Sequence, residues 1–227
     1  MKIMAVLGSP HGVEGRTGSV VKSFLDGAAQ SGAKTELFSL SELAVGQCLG
    51  CQNCMKTGKC RLVDDLPTIV HAMREADGYL FASPNQVYNV SGLMKVFIDR
   101  CFSACYFQLG RGRYAAAVVT SGGPYFDMVE DYLVRYIGAI GSYSLGSIGA
   151  TQLQLDDDDE RAEIMGSAFR RGEEMVQAIK TKKRFPEQEE KLNETFETMK
   201  SLVEMQVHQW PFLVEYWKSH FGLAKED

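Results

Sequence analysis

Three short runs in this chain, KIMAVL (residues 2–7), GYLFA (78–82) and YAAAVVT (114–120), are apolar almost throughout and stop abruptly at Gly, Ser or Pro. A strand with one wet face alternates apolar and polar residues, so an unbroken apolar run predicts a strand covered on both faces. Residues 33–40 and, more weakly, 142–150 complete a set of five. Stretches of helical period lie between them. In residues 19–30, Val20, Val21, Phe24, Leu25 and Ala28 share one face, and Ser31-Gly32 ends the pattern. Asp64-Asp65 is placed to cap a helix running through Ala76, with Pro67 in its first turn. Residues 92–105 and 124–140 carry two more helices, and Ser83-Pro84 reads as the end of the third strand.

Strands alternating with helices predict βαβ units and an α/β fold. Five such strands fit a flavodoxin-like, doubly wound five-stranded parallel sheet of order 2-1-3-4-5, in which ligands bind beyond the carboxyl ends of the strands. The loops after strands one, three and four are therefore the informative ones. The expected division is a flavodoxin-like domain over 1–155 and a C-terminal helical extension over 156–227, which ends in the aromatic stretch HQWPFLVEYWKSHFG. The acidic run Asp156 to Glu160 reads as a solvated helix start, since carboxylates favour a helix N-terminus. A formal net charge of −5 argues against a nucleic-acid partner, whose phosphates require a basic face. No apolar run reaches the length of a membrane span. The opening MKIMAVLGSPHG is broken too soon by Gly and Pro for a secretory signal. A cytoplasmic protein is expected, in which six cysteines serve as thiols, metal ligands or redox groups rather than structural disulfides.

The loop GSPHGVEGRTGS (8–19) joins the first strand to a helix N-terminus. No G-x-G-x-x-G runs through it, and it is no P-loop: six residues separate Gly8 from Gly15, and Arg16 stands where Lys is needed. It offers instead the hydroxyls of Ser9, Thr17 and Ser19, the Arg16 guanidinium and free backbone N–H groups. Such a set suits a terminal monophosphate held without magnesium.

GSPHGVEGRTGSVVKSFLDGA resembles the opening of the NAD(P)H-dependent FMN reductases and their iron–sulfur flavoprotein relatives, which show Gly-Ser-Pro-Arg and then Gly-Asn-Thr. Here His11 and Arg16 stand at the Arg and Asn positions. SPNQVYNVSGLMKVFIDR (83–100) resembles that family's isoalloxazine loop, closely from Val90 to Arg100. Asn85 and Gln86 replace its Val-Tyr, and Tyr88 follows two places later. TSGGPYFD (120–127) resembles the third, Gly-Gly loop. The resemblance implies FMN, with its phosphate on Ser9, Arg16, Thr17, Gly18 and Ser19. Its ring would lie against Pro84, Asn85, Gln86, Tyr88, Asn89, Thr120, Ser121, Gly122 and Gly123. NAD(P)H as co-substrate, a small-molecule or ferredoxin-type electron donor or acceptor, and a homodimer or homotetramer are implied with it. Met94, Phe97 and Ile98 read as core at helical spacing, and Asp99-Arg100 as a structural or subunit-interface pair. No side chain presents itself as an acid–base catalyst, and flavin hydride transfer need not require one.

Four cysteines, Cys48, Cys51, Cys54 and Cys60, follow the spacing C-x2-C-x2-C-x5-C. Structural zinc usually joins two cysteine pairs across a longer excursion, which this run lacks. Three cysteines at three-residue steps can wrap a cuboidal cluster that a fourth closes. The spacing resembles that of the iron–sulfur flavoproteins and implies a four-iron–four-sulfur cluster on these four residues. One alternative is bare thiols near the flavin of a cluster-free reductase; the other is a non-enzymatic thiol or cluster redox sensor or electron-carrier module, with the cysteine run as its switch and the C-terminal helices as its partner surface. In the flavoprotein reading, with cluster or bare thiols, the run lies between strand two and the next helix and is expected near the flavin edge. Cys101 and Cys105 read as small buried hydrophobes.

Overall fold

The computed structural model describes residues 1–223. In chain order the elements are β1 (Lys2–Leu7), a 3-10 turn (Gly12–Glu14), α1 (Arg16–Gln30), β2 (Lys34–Ser39), α2 (Asn53–Thr57), α3 (Leu66–Glu75), β3 (Gly78–Gln86), β4 (Asn89–Val90) and α4 (Gly92–Arg100). They continue with α5 (Phe102–Tyr106), β5 (Tyr114–Ser121), α6 (Asp127–Ala139), β6 (Tyr143–Thr151), α7 (Gln152–Asp156), α8 (Asp158–Thr181), α9 (Pro186–Met205) and α10 (Pro211–Phe221).

The five long strands pair in parallel in the order β2-β1-β3-β5-β6, the flavodoxin-like arrangement expected, with the two-residue β4 folded back antiparallel on β3 as a sixth strand. Successive side chains of a strand point to opposite faces. Ile3, Ala5, Leu7, Leu80, Ala82, Ala116 and Val118 meet α1 and α8 on one face. Met4, Val6, Tyr79, Phe81, Ala115, Ala117 and Val119 meet α3, α4 and α6 on the other. A third cluster lies outside the sheet, where Val203, Trp210, Leu213 and Trp217 of the C-terminal segment close on Met55 of α2 and on Phe107. The segment after Asp156 thus has two parts. α8 completes the covering of the sheet, and α9 with α10 packs beside the cysteine-bearing loop.

Several local expectations are corrected. β3 does not stop at Ser83-Pro84 but runs to Gln86. β1 pairs with it only as far as Ala82, so the missing N–H of Pro84 deprives no β1 carbonyl, and the strand goes on beside β5 with Pro84 opposite Thr120. α1 begins at Arg16, three residues earlier than its apolar face shows, because extended Gly15 is its N-cap. The predicted 92–105 helix is broken at Cys101 into α4 and α5. The sixth helix starts at Asp127 rather than Pro124. Asp65 does not cap α3 with its side chain, since its carboxylate accepts from Ala44 N at 2.7 Å. The acidic run behaves as expected: Asp157 caps α8 by accepting from Asp159 N and Glu160 N, each at 3.0 Å.

α1 and α8 cross at two glycines that face each other's backbone. A Cβ on Gly27 would lie 2.0 Å from Phe169 O, and one on Gly172 would lie 2.0 Å from Phe24 O. Gly27→Ala or Gly172→Ala therefore forces the helices apart, and overpacking of this kind costs about 1–3 kcal/mol. The expected result is a lower urea midpoint with an unchanged slope; a wild-type midpoint for both variants would contradict the close crossing.

Candidate functional site

The carboxyl ends of β1, β3 and β5 bring three loops together. Thr17, in the first turn of α1, and Thr120, at the end of β5, are both buried, and their hydroxyl oxygens lie 2.6 Å apart. Ser91 caps α4 by accepting from Met94 N at 3.1 Å, and its hydroxyl donates to Gly8 O at 2.5 Å. Gly8 is needed there, because a Cβ would lie 2.6 Å from Met94 Cβ. Gly18 lets the 3-10 turn fold over α1, since its Cβ would meet Val13 O at 2.4 Å.

This packing leaves the N-terminus of α1 open toward the loop. The first N–H groups of a helix lack intrahelical acceptors, and Gly15 as N-cap has no side chain to offer one. The first turn holds no acidic residue either. Ser9 is buried, and its hydroxyl oxygen accepts from His11 N at 3.2 Å. Ser19 is exposed, as Arg16 is, and its hydroxyl donates back to Arg16 O at 2.7 Å. Arg16 reaches Asp156 at the end of α7, donating Nε and Nη2 to that carboxylate at 2.7–3.0 Å. Nothing in the sequence pattern linked these two residues.

The predicted ring loop is a hairpin. Gln86 and Asn89 pair across a two-residue tip, Val87 and Tyr88, both in the left-handed region (φ 52 and 60). A β-branched residue is strained there. Asn85, which departs from the family's usual residue, clamps the hairpin to the loop after β5 by donating Nδ2 to Ser121 Oγ (3.2 Å) and Tyr125 O (2.6 Å). Its Oδ1 is buried without a partner. Tyr88 faces Tyr125 with ring centroids 6.4 Å apart. Sequence reasoning passed over Tyr125, although it stands within the quoted TSGGPYFD. A Cβ on Gly122 or Gly123 would meet no atom within 4 Å, so this loop borders open space. A free acceptor, an uncapped helix N-terminus and room above two glycines fit a flavin mononucleotide.

A family model described as NADPH-dependent FMN reductase matches residues 1–153, which contain all three loops. The chain belongs to the NADPH-dependent FMN reductase family. It is accordingly a flavoprotein oxidoreductase by family. An iron–sulfur flavoprotein of Archaeoglobus fulgidus is 27% identical over 96% of this chain and 98% of its own length. One of Methanocaldococcus jannaschii is 38% identical over 44% of this chain, and the match spans about half of that relative (51%). Among solved structures, an NADH:FMN oxidoreductase in its apo form shares the fold with a TM-score of 0.58 at 21% identity, over 77% of this chain and 89% of that one. Nothing in these likenesses favours the non-enzymatic sensor.

The C-x2-C-x2-C-x5-C run lies toward the opposite end of α4 from Ser91. Cys48, Cys51, Cys54 and Cys60 all line one cavity of about 730 Å³, whose other walls come from α3, the second half of α4 and α5. Ser91 marks the flavin-loop end of α4 and Arg100 the cysteine end. Nine residues at 1.5 Å each separate the two by about 13 Å along the axis. The cysteine loop therefore sits at the Arg100 end of α4, away from Ser91. Part of the loop is helical: α2 holds Cys54, with Gln52 and Gly58 in left-handed conformations at its two ends. Arg100 pairs with Asp64 at 2.5 Å and not with Asp99, which pairs with Lys95. The Arg100 guanidinium holds the Asp64 carboxyl below the usual carboxylate range.

Among the described residues no three Cys, His, Asp or Glu side chains are drawn together closely enough to hold a metal ion. The donor chemistry nonetheless fits an iron–sulfur cluster. Four thiols line one cavity, Gly50 and Gly58 free the backbone (φ 62 and 73), and a buried guanidinium nitrogen there, Arg100 Nε, lacks an acceptor. Cys48, Cys51 and Cys60 are exposed, whereas Cys54 is half-buried and burial pushes its thiol up. Cys105 is pushed up to about 11 by burial, and Cys101 is buried outright. A thiol reagent applied to native, metal-free protein should label Cys48, Cys51 and Cys60 promptly, Cys54 and Cys105 slowly, and Cys101 only after unfolding. Mass mapping that finds prompt labelling of Cys101 would contradict this packing.

Proposed function

We propose that the chain is an NAD(P)H-dependent oxidoreductase that carries FMN across the carboxyl ends of β1, β3 and β5, and a four-iron–four-sulfur cluster on Cys48, Cys51, Cys54 and Cys60. The observation that carries the reading is the meeting of the three loops under one uncapped helix N-terminus, joined by the 2.6 Å contact of Thr17 with Thr120. When bound, FMN supplies hydride acceptance from a nicotinamide and one- or two-electron release, and the cluster supplies one-electron storage.

The residues of this chain bind and orient. The first-turn N–H groups of α1 and the hydroxyls of Ser9 and Thr17 receive a phosphate dianion, favoured by the positive end of the helix dipole. Arg16 keeps Nη1 without a protein partner among the described residues, free to donate to the same phosphate while Asp156 holds the rest of the fork. Asn85 Oδ1 accepts an N–H from the polar edge of the flavin ring, and the ring lies in the space above Gly122 and Gly123. Val87, Tyr88, Tyr125 and Met128, all exposed, form an apolar rim on which a nicotinamide ring can lie away from water. A small molecule or a ferredoxin-type protein takes or gives the electrons. Assembly into a homodimer or homotetramer belongs to the same proposal, and a monomer by light scattering would overturn that part.

Titration of the purified protein with FMN should show saturable uptake and bleaching of the flavin absorption by NAD(P)H; a chain that takes up no FMN overturns the reading. Arg16→Ala removes a charge-assisted hydrogen bond worth about 1.5–3 kcal/mol. It should therefore weaken FMN binding roughly tenfold or more and leave riboflavin, which lacks the phosphate, unchanged. Equal losses for the two ligands would contradict the phosphate role.

A further inference from the structure

Arg100 is buried more deeply than a structural ion pair requires. Its side chain is 1% exposed and that of its partner Asp64 10%. Nη1 donates to Asp64 Oδ2 at 2.5 Å and to Gly46 O at 2.7 Å, and Nη2 donates to Asp64 Oδ1 at 3.1 Å. Nη2 also lies 3.3 Å from Cys60 Sγ, a donor–sulfur hydrogen bond, while Nε is buried with no acceptor. Burying a guanidinium is unfavourable, and apolar residues of similar volume commonly stabilise a fold as well as a buried ion pair does. What an apolar side chain cannot do is deliver a positive charge and an N–H to a sulfur on the wall of the cavity that all four cysteines share.

We propose that Arg100 sets the reduction potential of the cluster by donating a charge-assisted N–H to the Cys60 sulfur, with Asp64 positioning the guanidinium and offsetting part of its charge. The inference rests on the cluster clause of the proposed function. Reduction adds one electron, and one unit of negative charge, to the cluster and its thiolate ligands, with no bond made or broken in the protein. A donor and a cation at a ligand sulfur stabilise that added charge and raise the potential, as hydrogen bonds to sulfur and net charge do generally at such centres. Asp64 acts with the opposite sign, as a neighbouring anion. The same pair ties the cysteine loop to α4 through Gly46 and Cys60, so Arg100 both anchors the loop and tunes what the loop holds.

The test is a dithionite redox titration of the full chain, purified without oxygen and reconstituted with ferrous iron and sulfide. The midpoint is read from the cluster's visible absorption and from the electron spin resonance of the reduced form. Arg100→Met should make the cluster harder to reduce by about tenfold in the equilibrium constant, about 59 mV for a one-electron couple. Asp64→Asn should shift the midpoint the other way, and Arg100→Lys should retain part of the wild-type value. A merely structural role moves the two substitutions in the same direction or leaves the potential unmoved, and either result overturns the inference while leaving the cluster in place. If Arg100→Met does not fold, the opposed shifts of Asp64→Asn and Arg100→Lys decide the question. A wild-type protein that binds no iron overturns the cluster clause itself, and the inference with it.

Discussion

A parallel sheet covered on both faces has only its ends left for polar chemistry. That constraint organises this molecule. Leu7, Ala82 and Val118 face α1 and α8, while Val6, Phe81 and Val119 face the helices of the other side. The chain then changes character at Gly8-Ser9 beyond β1, at Ser83-Pro84 where β3 outruns β1, and at Thr120-Ser121 at the end of β5. The hydroxyls appear there because backbone and side-chain polar groups at the rim must find partners in one another or in a ligand. The Thr17 to Thr120 contact and the bond from Ser91 to Gly8 show the rim partly satisfied by itself. The unpartnered Asn85 Oδ1 shows where it is not.

α4 links the three-loop rim to the cysteine loop. Its first residue follows a serine that locks the flavin-side loops, and its last residue is the arginine that holds the cysteine loop. Between them Met94 and Phe97 are buried against the sheet, so the helix is fixed by packing as well as by its ends. A rigid element of this kind holds the three loops and the cysteine loop in constant relation.

The strands were legible because burial on both faces writes itself as an apolar run, and the three loops because they sit where those runs stop. What was hidden depended on the third dimension. The start of α1 at Arg16 could not be seen, since Arg16 and Ser19 are polar and the apolar face begins only at Val20. Pro84 looked like a strand breaker because its tolerance depends on β1 ending beside Ala82. Arg100 stood next to Asp99 in the chain, yet its partner is 36 residues away, and Arg16 finds Asp156 at a separation of 140. The cysteine run lay after strand two in any reading, but a loop's sequence position does not say which end of a helix it covers.

The segment around α10 packs on the cysteine loop. Trp210 Nε1 donates to Gln52 Oε1 at 3.0 Å, and Gly58 lies so close under the ring of Phe212 that a Cβ would come within 2.4 Å of it. Gln52 and Trp210 are 158 residues apart, which at 5–20 residues per second is on the order of 10 to 30 s of ribosome time. Until then the loop has no α10 to close over it. The segment that carries Cys54 therefore takes its final packing only after the last described helix has been made.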